Sequence, residues 1–305
     1  MPKPTQEDFR RYARLVTAAL PAPSAFAPEA EGPTALQVER GAVYPAALRD
    51  SNDPKLTSTF DRLASLASSG PLGTIVVVDR SGHHRPVYRP VLVYASLQAF
   101  RLAYETLPRA EFGRWEEGLR PWCDLLEAEL TAIDIPGNGQ PLPAARGAAA
   151  AEAAWTALAL WVAGKVYVRD AWTDLAGDTF GRLTRAQTPA GAFLLAGASD
   201  NPEAHWFHEL ALLHAASGYA VQAEDRTVAA AVARATDYHL RETQPDHATN
   251  QPWGLFAFVW NPSTRPAADA MLHAAGVQSA QQAHPAEGVT SILLADALYC
   301  LKLFG

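Results

Sequence analysis

Two kinds of apolar pattern alternate along most of this chain. In the first, hydrophobic residues cover more than one helix face, over 91–105, 148–168, 204–219, 251–260 and 289–304. In 148–168, for instance, Trp155, Leu158, Leu160, Trp161 and Val162 point in several directions. In the second, they form one stripe repeating every three to four residues, over 112–133, 170–185, 223–241 and 266–275. The stripe in 170–185 is Trp172, Leu175, Phe180 and Leu183; that in 223–241 is Val228, Val232, Ala235 and His239. A helix apolar all round belongs inside a protein, and one with a single stripe belongs at its surface. The chain is therefore expected to be all-α, with buried and surface helices taking turns.

The first ninety residues are less regular. Residues 5–20 read as a helix capped by Thr5 with Asp8, its stripe being Phe9, Tyr12, Leu15, Val16 and Leu20. Pro21 and Pro23 stop it, and 21–53, rich in Pro, Ala and Ser, reads as a long surface connection. Asp53 and Pro54 open a second helix with Phe60, Leu63 and Leu66 on its buried side, ending at Gly70. The β-branched run Thr74–Asp79, a Gly-containing turn and Val87–Tyr88 predict a single small β-hairpin within 74–88, and everything after it reads as helical.

Five inner helices, starting near Pro90, Gly147, Pro202, Pro252 and Gly288, alternate with outer ones, six in all with the first two helices of the chain, as a degenerate repeat of helical pairs. Closing the pairs into two concentric rings buries every face of the inner set. An open solenoid would leave their concave side exposed. In this respect the chain resembles the α/α toroids, the ring architecture of terpenoid cyclases, protein prenyltransferase β subunits, several polysaccharide lyases and many glycosidases. Gln187-Thr-Pro-Ala-Gly191-Ala-Phe193 is similar to the Q-x-x-x-G-x-[FW] element that closes outer helices in squalene-cyclase-like repeats. The resemblance covers roughly residues 55–305 and implies one domain, with 1–53 as an N-terminal helix and connection and 54–305 as an (α/α) toroid. It lends no activity: neither DxDD nor DDxxD occurs, and Cys123 and Cys300 have no partners resembling the prenyltransferase zinc set.

Composition narrows the function. Across 305 residues the formal net charge is -7, which excludes the basic footprint of a nucleic-acid binder. No apolar stretch reaches the roughly 18 residues of a membrane span, and no secretory leader is legible, so a cytoplasmic protein without membrane contact is expected. With two cysteines and no CxxC pair, neither a disulfide framework nor redox chemistry is indicated. Motifs for nucleotide phosphates, dinucleotides and serine nucleophiles are missing, and no cofactor is expected.

In a toroid the N-termini of the inner helices open on one end of a central funnel. The residues gathered there are Tyr88 and Arg89; Arg146; Asn201, Glu203, His205, Trp206 and His208; Asp246, His247, Asn250, Gln251 and Trp253; and His284 and Glu287. His84, on the hairpin turn, is expected to fold over the same end. Capping alone explains Asn201 and Asp246, but not His205, His208 and Glu209, which share one helix face at i, i+3 and i+4. His-Trp-Phe-His-Glu is neither HExxH nor HxxEH, so no metal is assigned.

Three functions follow as expectations. The first is a carbohydrate-active enzyme with a small-molecule or oligosaccharide substrate. As a hydrolase it would use Glu203, Asp246 and Glu287 as acid and base, and Trp206 and Trp253 as sugar platforms. As a lyase it would resemble toroidal polysaccharide lyases, with His205, Tyr88 and Asn250 reacting and Arg89 and Arg146 facing a uronate. The second is a terpenoid-cyclase-like protein holding a hydrophobic substrate against Trp155, Phe207, Phe256 and Phe258. The third is a non-catalytic helical scaffold. Paired carboxylates favour the first, a dry aromatic pocket the second and a filled centre the third.

Overall fold

The computed structural model describes residues 5–20, 44–51, 56, 76–78, 84–86, 89–104, 109–137, 139–195, 202–242, 251–281 and 288–304. These residues are mostly helical. The helices are α1 (Gln6–Ala19), α2 (Arg89–Ala103), α3 (Arg109–Ala132), α4 (Gly147–Val166), α5 (Asp170–Ala186), α6 (Pro202–Gln222), α7 (Arg226–Glu242), α8 (Leu255–Trp260), α9 (Arg265–Gln281) and α10 (Gly288–Lys302). Among the described residues, no helix is long and apolar enough to cross a membrane.

Burial follows the pattern of the sequence. α4 is buried without a break from Ala153 to Gly164, whereas α5 buries one face, Trp172, Ala176, Thr179, Phe180, Leu183 and Ala186. α7 does the same with Val228, Ala231, Val232, Ala235 and His239. The fully buried helices touch in succession: α2 on α4, α4 on α6, α6 on α8, α8 on α10, and α10 back on α2. The amphipathic helices lie against them, α3 and α5 on α4, α7 on α6, α9 on α8 and α1 on α10. α1 carries the expected capping box, in which the Asp8 carboxylate accepts from Thr5 N at 2.9 Å while Thr5 Oγ1 accepts from Asp8 N at 3.2 Å. Its stripe buries Phe9, Tyr12, Val16 and Leu20, but Leu15 is 41% exposed. At 100° per residue Leu15 falls outside the arc that the other four share.

Local chemistry also repeats. The turns α4–α5 and α6–α7 each place a non-glycine residue, Val168 (φ 52) or Glu224 (φ 54), in the left-handed region. The next N–H then bonds back into the finished helix, Arg169 N to Gly164 O at 2.9 Å and Asp225 N to Ala220 O at 3.0 Å. Both are Schellman-type endings that consume orphan carbonyls. Gly164 lets α5 approach closely, since a Cβ there would stand 2.6 Å from Thr173 Cγ2. Within the Gln187–Phe193 element, Gln187 Nε2 donates to Gly191 O at 2.8 Å and to Ala231 O at 2.9 Å, tying the end of α5 to α7. Gly191 adopts φ +104 against Arg234 O, where a Cβ would sit 2.4 Å away.

Four expectations are corrected. Residues 44–49, assigned to the surface connection, are helical, and Tyr44, Ala47 and Leu48 are buried; long-range contacts recruit this stretch although it has no strong pattern of its own. The return strand of the hairpin includes β2 (His84–Pro86), antiparallel to β1 (Val76–Val78) in the register Val76↔Pro86, while the expected strand residues 87–88 lie outside the described residues. His84 is therefore a strand residue, because main-chain pairing rather than hydrophobicity sets the register. After the hairpin the chain is not wholly helical: β3 (Leu142–Pro143) pairs in parallel with β4 (Leu194–Leu195), a pairing too short to show alternation. Finally, the apolar segment 251–260 is helical only from Leu255, after Gly254 turns left-handed at φ +72. Of the helix expected after Asp53, only Leu56 falls within the described residues, and it is buried.

Candidate functional site

Three polar regions interrupt the apolar body, and the first lies where the sequence directs attention. Tyr88, Asn201, Asp246, His247, Asn250, His284 and Glu287 lie outside the described residues, and His84, Arg89 and Glu203 are described in backbone only. The rest can be placed. His205 is 8% exposed, and neither ring nitrogen has a hydrogen-bond partner. Half-buried His208 has its pKa lowered by burial and by His205. Fully buried Glu209 accepts from Phe193 N at 3.2 Å and Leu194 N at 2.5 Å, so it pegs the first turns of α6 to the strand β4. Burial outweighs those two donors and lifts its pKa to about 8.

His239 of α7 approaches Glu209 at 3.7 Å, and burial, then His205, lower its pKa to about 3. An acid raised and an imidazole lowered are both uncharged near neutrality, so this approach is not an ion pair. Arg146 pairs with Asp134, donating to its backbone oxygen and standing 3.8 Å from its carboxylate. Trp206 is half-buried and Gln251 is buried. Trp253 is buried edge-on against Phe207 at 5.5 Å and Trp155 at 5.8 Å, and shows no open indole face. Among the described residues no group of three His, Cys, Asp or Glu is placed to hold a metal ion.

The second region fills the centre. Where α2, α4, α6 and α10 meet, the Asp296 carboxylate accepts from Tyr94 OH and, at 3.2 Å, from Tyr44 OH. Its other oxygen faces His214 Nε2 at 3.1 Å. His214 Nδ1 accepts from Gly254 N at 3.0 Å, which assigns the ring proton to Nε2 and makes it a donor to Asp296. Three donors on two oxygens are the complement that an acceptor-only carboxylate requires. Trp155 stacks on His214 at 5.2 Å and donates its Nε1 to Ala211 O. Burial first, then neighbouring charge, pushes the Tyr44 and Tyr94 hydroxyls well above their ordinary value. Trp155 and Phe258, expected to line an open funnel, are wholly buried core. The two cysteines are buried thiols.

The third region is a cleft of about 600 Å³ at the opposite end, where the C-terminal turns of α2, α6, α8 and α10 converge. Phe256, Trp260 and Phe304 form its aromatic wall, with ring centroids 4.8 to 6.2 Å apart. Arg101, Ser217, Gln222 and Tyr299, with Glu224, Asp225 and Arg226 between α6 and α7, supply its polar groups. The Arg101 guanidinium stands 5.8 Å from the Trp161 ring and 5.9 Å from the Tyr299 ring. Gln222 Oε1 accepts from Arg101 at 3.2 Å and from Gln98 at 2.7 Å, while Gln222 Nε2 donates to Tyr94 OH at 3.0 Å. A continuous hydrogen-bond chain therefore runs from the cleft to Asp296 and His214.

Sequence reasoning looked at helix starts and missed Arg101, Gln222, Tyr299, Tyr94 and Asp296. A signal was present: one acid or one arginine inside a helix buried on every side must find a partner, because burying it alone is costly. No family model and no curated protein matches this chain.

Proposed function

We propose that the chain is an (α/α) toroid, plugged at its centre and open at one end, that binds a small, largely apolar molecule in the cleft at the C-terminal ends of the inner helices. The circuit of contacts from α2 through α4, α6, α8 and α10 back to α2, with amphipathic helices outside, supports the ring. The observation carrying the function is the cleft of about 600 Å³ walled by Phe256, Trp260 and Phe304. Its volume lies in the range of small-molecule sites, and it sets an aromatic wall beside polar groups that can orient a ligand, as such sites do. Of the residues expected to hold a hydrocarbon, Phe256 lines it. Ala229, exposed on α7 at the cleft margin, allows a direct test. Nile red, a neutral apolar dye, binds the wild type, and Ala229→Trp blocks that binding without lowering the unfolding midpoint. Unchanged dye binding by Ala229→Trp would place the dye elsewhere and reject the cleft.

A second reading, glycan processing at the N-terminal ends of the inner helices, is favoured by one observation. His205, at the start of α6, is buried beside His208 with both ring nitrogens unpartnered, as a group awaiting a substrate hydroxyl would be. Turnover on a panel of glycans and uronates that His205→Ala removes supports it. The absence of turnover by wild type across that panel rejects it.

A further inference from the structure

Arg101 is a cation set beside the aromatic wall of the cleft. Among the described residues it makes no ion pair, and its one hydrogen bond goes to Gln222 Oε1. A guanidinium carries five N–H groups in a rigid fork, so most of its donor capacity remains. Its position is fixed from three sides. The rings of Trp161 and Tyr299 stand 5.8 and 5.9 Å away, and Gln222 is itself locked by Gln98 and Tyr94. The lock continues through Tyr94 to Asp296, so the orientation of Arg101 is anchored in the buried core.

We infer that the ligand of this cleft is an amphipathic monocarboxylate, its carboxylate held bidentately by Arg101 and its apolar body laid against Phe256, Trp260 and Phe304. The inference rests on the cleft reading above and names the substrate class for it. Fork-to-fork geometry favours a carboxylate over a neutral head group. A more highly charged head group, such as a diphosphate, is disfavoured by what surrounds the arginine. The C-terminal ends of α2, α6 and α10 each direct about half a negative charge toward this end, offset in part by the N-terminal end of α7, whose Arg226 and Ala229 also line the cleft. Glu224 and Asp225 stand on the rim, opposed by Arg226. Asp225 caps α7 through Oδ1, which accepts from Thr227 N and Val228 N at 2.9 and 3.0 Å, and it forms no ion pair with Arg101. One anionic charge meets Arg101, and further charges meet repulsion.

The test uses the delipidated full-length chain titrated with decanoate, decanol and decyl phosphate at pH 8, by calorimetry and Trp fluorescence. Decanoate is expected to bind at least about tenfold more tightly than decanol, the difference one charge-assisted pair supplies, and more tightly than decyl phosphate. Arg101→Gln brings decanoate to the level of decanol and leaves decanol unchanged. Arg101→Lys, which keeps the charge but not the fork, retains part of the preference and guards against a Gln variant that fails to fold. Equal binding of decanoate and decanol by wild type, or an undiminished preference in Arg101→Gln, overturns the carboxylate anchor while the cleft stands. Binding of none of the three compounds, together with no Nile red binding, overturns the cleft itself.

Discussion

Two buried acid–histidine pairs, both centred on α6, resolve the same problem in opposite ways. Asp296 and His214 stand 3.1 Å apart, and every oxygen and nitrogen of the pair has a partner, from Tyr44, Tyr94 and Gly254. Glu209 and His239 stand 3.7 Å apart beside His205, whose ring nitrogens are unpartnered, and the Glu209 carboxyl is tied by backbone donors. The first pair is a completed network and reads as architecture, the plug that holds the inner helices and, through Gln222, the cleft wall. The second is incomplete and poised. Buried polar networks stabilise when every member is satisfied and become liabilities when they are not.

The sharpest break in that contrast is Asp296→Asn. The isosteric amide leaves two tyrosine hydroxyls and an imidazole N–H competing for one acceptor, and a loss of about 3–5 kcal/mol in denaturant unfolding is expected. A smaller loss would mean that the central network relaxes and is not the plug.

Next in size is the pH response of Glu209. Its folded pKa, about 8, lies above the ordinary 4.5. Between those values the native state holds a proton that the unfolded chain has released, so stability falls as pH rises through that window. Glu209→Gln removes this proton linkage, and its unfolding free energy is expected to vary less between pH 5 and 8 than that of wild type. Parallel curves for the two proteins would show that the backbone donors, rather than burial, set the state of this carboxyl.

The smallest effect belongs to His205→Phe. Replacing an unpartnered buried ring with an apolar one of similar shape is expected to change stability by less than about 1 kcal/mol, in either direction. A loss of several kcal/mol would reveal a structural hydrogen bond and erase the contrast between the two pairs.

Much of the helical pattern was legible because period and burial are directly coupled. α4 was expected at 148–168 and spans Gly147–Val166; α5 was expected at 170–185 and spans Asp170–Ala186. The all-round apolar segments became the buried helices and the striped ones their cover. Of His205, His208 and Glu209, the residues that capping does not explain, Glu209 holds down β4. The helical 44–49 stretch, the register of β2 and the β3–β4 pairing escaped, since each depends on a partner far away in sequence. Tyr44, for example, is buried beside a carboxylate 252 residues along the chain.

The sequence by itself determined which helices go inside and which outside, because a helix's apolar arc is a local property fixed by side chains three and four residues apart. Only the tertiary structure decided where the molecule is open. Whether the centre is hollow depends on whether Trp155, His214, Trp253 and Tyr94 meet there, and four residues on four separate segments carry no joint signature in one chain. They do meet, and among the described residues the cleft lies at the end where Arg101 stands.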